Sequence, residues 1–518
     1  MTDSLAAHLQ DDGDIGDAAI PHHPLGVKPS GNALTATWSL RAAIGTLVIL
    51  PDELILPLLE YLEAPDLLRL GRTCKAMYAF TRAEELWKTL FIQAPTVPSF
   101  HWRGTWRATY LNIDPSAIPP VDCSQMFSDT LHRPFYCAHI PLPDYACNIP
   151  PQNEITRMPD LSAEEFQKSW SDRPFILTEP VKEWPAYKDW SMEYLAEEFG
   201  DTIFRAEVVD WPMKTYVEYM ENNSDESPLY LFDRDYVNKM NLTVDDEEPK
   251  PGAPPPAYTN PPCFGEDYFS VLGNDRPDNR WLVIGPSGSG STFHKDPNAT
   301  SAWNAVLRGS KYWITFPSTA SGLSATSSSR EPLPAPPGVY VSPDQGEVTT
   351  PLSIAEWFLS FHAEARRTPG CIEAICHAGE LLYVPSGWWH LVVNLEPNVP
   401  TIAVTQNFIS RSHIVPALDF LKNKPDQVSG FRCNVEYGAE GQGEGGLALD
   451  PYKTFVERME EKFPELLREK MDELEKREAG EKKKRKWDEV VHGPDGEEGE
   501  GGGFSFGFGD EGSDVEVP

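Results

Sequence analysis

The spacing of apolar residues changes three times along this chain. From Leu50 to Phe91, in LPDELILPLLEYLEAPDLLRLGRTCKAMYAFTRAEELWKTLF, they recur at helical intervals. Leu54, Leu58, Leu59 and Leu62 fall on one face of a helix that Pro51 opens, with Asp52 and Glu53 in its first turn. Asp66 reads as the cap of a second helix bearing Leu67, Leu68 and Leu70, and Leu86, Trp87 and Leu90 mark a third. Helices this short need mutual packing or a partner. From about Leu161 helical and extended signals alternate: SAEEFQKSW, PFILTEPV, SMEYLAEEFG. Short runs of β-branched and aromatic residues follow in RWLVIGP, KYWITFP, ELLYVP, HLVVNLE and TIAVTQNFI. Many short strands with irregular loops predict a mainly β barrel or sandwich. After Ile409 the helical spacing returns, in DPYKTFVERMEEKFPELLREKMDELEKREAGEKKKRKW.

These shifts divide the chain. Residues 1–43 are polar and weakly periodic and predict a disordered arm. Residues 44–95 hold the helical module, which reads as independent of the β domain, and 96–155 form a connector rich in Pro, Trp and Tyr. The β domain spans 156–410, a helical region 411–480, and a basic run with a disordered acidic tail 481–518. Two stretches within the β domain, near 245–262 and 318–346, are Pro-rich and Ser/Pro-rich. Neither can build a core, so both read as surface loop insertions.

A chain of 518 residues is too long for one domain, and its 40% hydrophobic content supplies a sizeable core. With 44 basic and 79 acidic residues the formal charge is −35. Such a surface disfavours duplex DNA, which needs clustered Lys and Arg, and suits a basic protein substrate. The eight cysteines show no CxxC pairing, which fits a reducing compartment. The N-terminus MTDSLAAHLQDDGD does not read as a signal peptide, and no apolar run reaches the ~18 residues of a membrane span. The five consecutive basic residues Lys482 to Lys486 match a nuclear-localisation composition and predict a nuclear protein.

Candidate chemistry gathers in GSTFHKDPNATSAWNAVLRGSKYWITFP, Gly290 to Pro317. If the segment is extended, His294 and Asp296 face the same way. A third ligand is offered by His390, which opens a strand whose Val392 and Asn394 share its face. Two histidines and a carboxylate on one face of an octahedron leave three positions open, as non-haem Fe(II) oxygenases require. Lys311 shares a face with Trp313 and Thr315, and a lysine aimed into a barrel needs an anionic partner, which a dicarboxylic cosubstrate would supply. Thr405 and Asn407 offer a hydroxyl and an amide on one face. Trp388 and Trp389 face opposite ways in an extended segment, so at least one packs in the core. His362 and His377 read as structural or solvent-facing, and Cys371 and Cys376 lack the second pair a zinc site needs.

Two resemblances complete the reading. LPDEL, APDLLRLGRTCKAMYAF and LWKTLF together resemble an F-box, which implies docking to the Skp-type adaptor of a cullin ubiquitin ligase. SPLYLFD, WLVIGPSGSGSTFHKDP, TSAWNAVLRGSKYWITFP, VPSGWWH and AVTQNF, in this order, resemble a JmjC-domain 2-oxoglutarate oxygenase. The nearest branch is the phosphatidylserine-receptor-like one, associated with lysyl hydroxylation and arginine demethylation. The resemblance implies a double-stranded β-helix, the cupin jelly roll, with flanking helices. It implies that His294, Asp296 and His390 hold Fe(II), and that Lys311 and Tyr230 bind the distal carboxylate of 2-oxoglutarate. Asn304 and Thr405 would line the same pocket, and Ser291 stands where the family has threonine. The connection NLEPNVPTIAV is longer than the family's, but neither departure removes a ligand. Two function classes follow: a protein oxygenase that hydroxylates or N-demethylates, or a ubiquitin-ligase receptor whose β domain mainly binds substrate. A pure binding module has no need of the complete iron and cosubstrate sets, which favours the oxygenase.

Overall fold

Eight of the strands between Arg280 and Phe408 build two four-stranded layers: β1 Arg280–Gly285, β2 Gly290–His294, β3 Ser301–Arg308, β4 Ser310–Phe316, β5 Ile372–His377, β6 Leu381–Val384, β7 Trp389–Asn394 and β8 Thr401–Phe408. The computed structural model describes residues 20–94, 100–244, 255–319, 332–342, 347–350, 352–431 and 450–492, apart from the side chains of 481, 482 and 484–492. One sheet runs β6-β3-β8-β1 and the facing sheet β5-β4-β7-β2, all antiparallel. This is the expected jelly roll. Strands Thr156–Met158 and Phe175–Leu177 extend the first sheet beyond β6, and Leu231–Asp233, Ile203–Ala206 and Val209–Pro212 extend it beyond β1, giving nine strands. Every residue of β4, β6, β7 and β8 is buried. Strands covered on both faces read as continuous apolar runs rather than alternating ones.

Residues 47–94 form four helices rather than the three expected: α1 Asp52–Leu59, α2 Ala64–Leu70, α3 Lys75–Phe80 and α4 Glu84–Gln93. Pro51 is the residue before α1 rather than its first, and Asp66 lies inside the first turn of α2, behind Glu63 and Pro65. In α1, Ile55 and Leu59 are buried while Leu54 and Leu58 face outward, so the leucine row expected on one face is split.

The module is not independent of the β domain. The Glu84 carboxylate of α4 accepts from the backbone N–H of Trp106 at 2.6 Å and of Arg107 at 3.3 Å, satisfying the first turn of α5, Trp106–Leu111. Phe91 of α4 packs edge-on against Trp106 and Trp211. One hydrophobic core then runs from Ile55, Leu67 and Trp87 through Trp106 to Phe175, Leu282 and Phe408.

The arm expected to be disordered differs over its described part, residues 20–43; residues 1–19 lie outside the description. Val27 is buried, the Lys28 N–H donates to Met126 O at 3.0 Å, and Cys123 N–H donates to Leu25 O at 2.8 Å. A few apolar anchors tie down an otherwise polar stretch. Most of the two loop insertions, at 245–254, 320–331 and 343–346, lies outside the described residues. The rest of the first is tied down rather than free at the surface: Tyr258 is buried in the main core. Within the helical region lie Ile414–Asn423 and Pro451–Lys462. The chain separates into two units, 1–462 and 463–518, and the second is the helix Pro464–His492 where it is described. The basic run falls on that helix, and the acidic tail from 493 lies outside the description. Among the described residues no single helix is long and apolar enough to cross a membrane.

Candidate active site

β2 and β7 are neighbours, and their register sets His294 opposite His390 with ring centroids 4.1 Å apart. Asp296 is not on the strand with His294. β2 ends at His294, and Asp296 heads the short turn Pro297–Ala299. Its carboxylate still joins the histidines, for one ligand atom from each of the three lies within 4.8 Å of the others. Nδ1 of His294 sits 2.7 Å from Thr292 O, and Nδ1 of His390 sits 3.1 Å from Trp388 O. A carbonyl only accepts, so each Nδ1 carries the proton and each Nε2 keeps its lone pair. Burial holds His390 well below the usual imidazole range, helped by neighbouring His294. Burial raises the Asp296 carboxyl, against the pull of His294 and a hydrogen bond from Asn407. Asp296 Oδ2 is buried with no hydrogen-bond partner. A lone buried carboxylate oxygen beside two imidazole lone pairs is costly unless a cation sits among them. The donor set, two neutral nitrogens and one oxygen with no thiolate, fits Fe(II).

Deeper in the barrel, Lys311 of β4 pairs with Asn394 of β7 and Cys376 of β5. Lys311 is fully buried. Its ammonium donates to Tyr230 Oη at 2.5 Å and Asn394 Oδ1 at 3.1 Å, and among the described residues it meets no carboxylate. Burial therefore pulls it down to about 7. The Asn394 amide is held in turn by Ser289 Oγ at 2.9 Å and Gly285 O at 3.3 Å. Asn304 of β3 lies opposite Thr405 of β8. Thr405 Oγ1 donates to Trp303 O at 2.9 Å, so its hydroxyl is left as an acceptor. Asn304 Oδ1 and Trp313 Nε1 are buried without partners. The Trp313 ring centroid stands 6.0 Å from that of His390. Ser291 of β2 lines a cavity of about 410 Å³ with His294, Thr292, Gly288, Ile354 and Glu207.

Sequence reasoning placed Asn394 on the ligand face but gave it no role. It missed Glu207, a lone acid in the two-residue turn between Ile203–Ala206 and Val209–Pro212, held at φ 50°. The Glu207 carboxylate accepts the Tyr230 N–H at 3.2 Å, a contact no local motif announces. Trp388 and Trp389 are both core residues in different clusters, and Lys295 lies 4.4 Å over the Trp389 ring. His362 is buried against Tyr312 Oη at 3.0 Å and His377 is exposed. Cys371 and Cys376 are free and buried.

Residues 163–413 match the cupin-like domain, and residues 47–93 match an F-box-like module. The chain is 38% identical over 433 residues to the arginine-specific demethylase JMJ22 of Arabidopsis thaliana, covering 80% of this chain and 79% of that one. The chain belongs to the JmjC-type cupin oxygenases. Their cofactors are Fe(II) and 2-oxoglutarate. To the bifunctional arginine demethylase and lysyl-hydroxylase psr-1 of Caenorhabditis elegans it is 32% identical over 280 residues, 51% of this chain and 63% of that one. To the 2-oxoglutarate and iron-dependent oxygenase JMJD4 of Gallus gallus it is 24% identical over 294 residues, 52% of this chain and 59% of that one. His294, Asp296 and His390 form the three-residue group in the jelly roll whose ligand atoms could hold a metal ion.

Proposed function

We propose that this oxygenase acts on cationic side chains of nuclear proteins, by hydroxylation or N-demethylation, and docks through its F-box to the Skp-type adaptor of a cullin ubiquitin ligase. The observation that carries the first part is Lys311, a fully buried ammonium set on two neutral oxygens beyond the histidine pair. A buried cation without an anion points to one supplied by a ligand. Lys311 and Tyr230 would take the distal carboxylate of 2-oxoglutarate, with Asn304 and Thr405 on the adjoining wall. His294, Asp296 and His390 would hold the iron. Bound together, iron and 2-oxoglutarate would activate dioxygen, one oxygen atom going to a substrate C–H to give C–OH and the other to succinate as carbon dioxide leaves. The buried barrel wall keeps water from that chemistry.

Glu207 on the cavity wall beside His294, and the net charge of −35, support a cationic substrate. A hydroxyl on a chain carbon is stable, whereas one on an N-methyl carbon collapses with loss of formaldehyde. The geometry admits both. The adaptor reading rests on α1 and its flank, where Ile49, Leu54, Leu58 and Tyr61 are 82%, 52%, 50% and 88% exposed. The run Lys482 to Lys486 supports the nucleus. Incubation with Fe(II), 2-oxoglutarate and basic peptides carrying lysine, arginine or methylarginine is the test. Succinate release with a peptide mass gain of one oxygen, or loss of one methylene, is expected. Succinate without any change in these peptides would redirect the search to other substrates, and no succinate at all would remove the oxygenase reading.

A further inference from the structure

Tyr230 reaches Lys311 from outside the jelly roll, and what holds Tyr230 leads back to the F-box. The three consecutive backbone N–H groups around it each end on a side chain. Leu229 N–H donates to Tyr219 Oη at 2.8 Å, Tyr230 N–H to Glu207 Oε1 at 3.2 Å, and Leu231 N–H to Tyr216 Oη at 3.1 Å. Tyr219 Oη in turn donates to Asp225 Oδ2 at 2.7 Å, and Trp106 Nε1 donates to the same carboxylate at 2.9 and 3.0 Å. Asp225 is buried, and among the described residues a half-buried cation forms an ion pair with it. That cation is Lys88 of α4, whose Nζ lies 3.9 Å from Asp225 Oδ2 and 5.5 Å from the Trp106 ring centroid. Burial raises the carboxyls of both Asp225 and Glu207, and in each case Lys88 is the foremost opposing influence. One F-box lysine thus pairs with Asp225, which holds the Leu229 N–H through Tyr219, and acts electrostatically on Glu207, which holds the N–H of the tyrosine itself.

We propose that Lys88 is a positioning residue for 2-oxoglutarate, acting from the F-box through Asp225 and Glu207 to set the Tyr230 hydroxyl against Lys311. The proposal rests on the reading of Lys311 and Tyr230 as the anchor of the distal carboxylate. It makes the F-box a working part of the cosubstrate pocket rather than only a docking handle.

The full-length protein loaded with Mn(II) in place of iron allows 2-oxoglutarate binding to be measured by calorimetry without turnover. Lys88→Met is expected to weaken 2-oxoglutarate about tenfold, the scale on which residues remote from a ligand modulate its binding. Mn(II) affinity without cosubstrate should be unchanged, since the iron ligands are untouched, and Lys88→Arg should restore most of the loss. In a Tyr230→Phe background Lys88→Met should add little, because the effect passes through that hydroxyl. Glu207→Gln, at the cavity wall, gives a second approach should Lys88→Met not fold, and should weaken 2-oxoglutarate in the same direction. The proposal is overturned if a folded Lys88→Met, or Glu207→Gln in its place, binds 2-oxoglutarate within twofold of the parent, or if losses in the two backgrounds simply add. If the parent itself binds Mn(II) but no 2-oxoglutarate, the anchor reading falls and takes the proposal with it.

Discussion

Lys311 carries a pH signature that bears directly on the cosubstrate. Its folded value of about 7 lies far below the ~10.4 of an unfolded lysine. Between the two the unfolded chain binds more protons than the folded one, so the cosubstrate-free protein gains stability as pH rises through that window. An anion at Lys311 works the other way, since it binds to the ammonium and draws a proton in. Affinity for 2-oxoglutarate should therefore fall roughly tenfold per pH unit above the free-protein value, with proton uptake visible in buffers of different ionisation enthalpy. A flat affinity between pH 7 and pH 9 would show that the lysine stays charged without cosubstrate. Lys311→Ala should raise the 2-oxoglutarate requirement by well over tenfold, since removing one partner of a buried charge pair costs ~2–5 kcal/mol. The proposed iron ligands should respond differently. His294→Ala, Asp296→Ala and His390→Ala should each abolish succinate release and weaken Mn(II) binding, while circular dichroism reports an intact fold. Three variants that keep the parent's metal affinity would refute the assignment.

At the scale of elements, the site depends on how closely two glycines let strands and side chains approach. A Cβ on Gly290 would run into the Val392 carbonyl and come within 2.9 Å of Val393 Cα, where β2 meets β7 and the two histidines are paired. A Cβ on Gly285, at the end of β1, would strike Ser289 Oγ and lie 2.8 Å from Tyr230 Cδ2 and 3.1 Å from Asn394 Nδ2. Both alanine variants should lose on the order of 1–3 kcal/mol in denaturant melts, the usual cost of overpacking. They should part in function: Gly290→Ala weakens the metal, Gly285→Ala weakens 2-oxoglutarate. The same elements explain what the sequence could reveal. The strands were legible as apolar runs, but burial on both faces hid the alternation that would show which side faces the barrel, so pattern alone stopped at barrel or sandwich. The cluster of His294, Asp296 and His390 was legible through its motifs, although Asp296 reaches it from a turn and not along a strand. Asn394 and Glu207 were not, because their roles depend on register and on a distant hairpin that no local spacing encodes.

The whole molecule asks whether the F-box is an appendage. Its two sides answer differently. Inward, Phe91 and Glu84 bind Trp106 and α5, and Ile55, Leu67 and Trp87 continue into the core that reaches Phe175 and Phe408 of the β domain. Outward, Leu54, Leu58 and Tyr61 stand bare, with at least half of each exposed. Deleting 44–95 would uncover Trp106 and Trp211 and leave α5 without its Glu84 cap, so the remaining chain should aggregate or melt early and bind 2-oxoglutarate poorly. A charge on the outer face tests the docking role without that damage. Leu58→Glu combined with Tyr61→Ala removes apolar surface that already faces water, and surface changes of this kind usually alter stability by no more than ~0.5 kcal/mol. This double variant should keep the parent's melting temperature and succinate release while losing co-purification of a Skp-type adaptor. Retained adaptor binding would place the docking face elsewhere. A parent that never recovers an adaptor, with a deletion that destroys the β domain, would make these helices a structural part of the oxygenase alone.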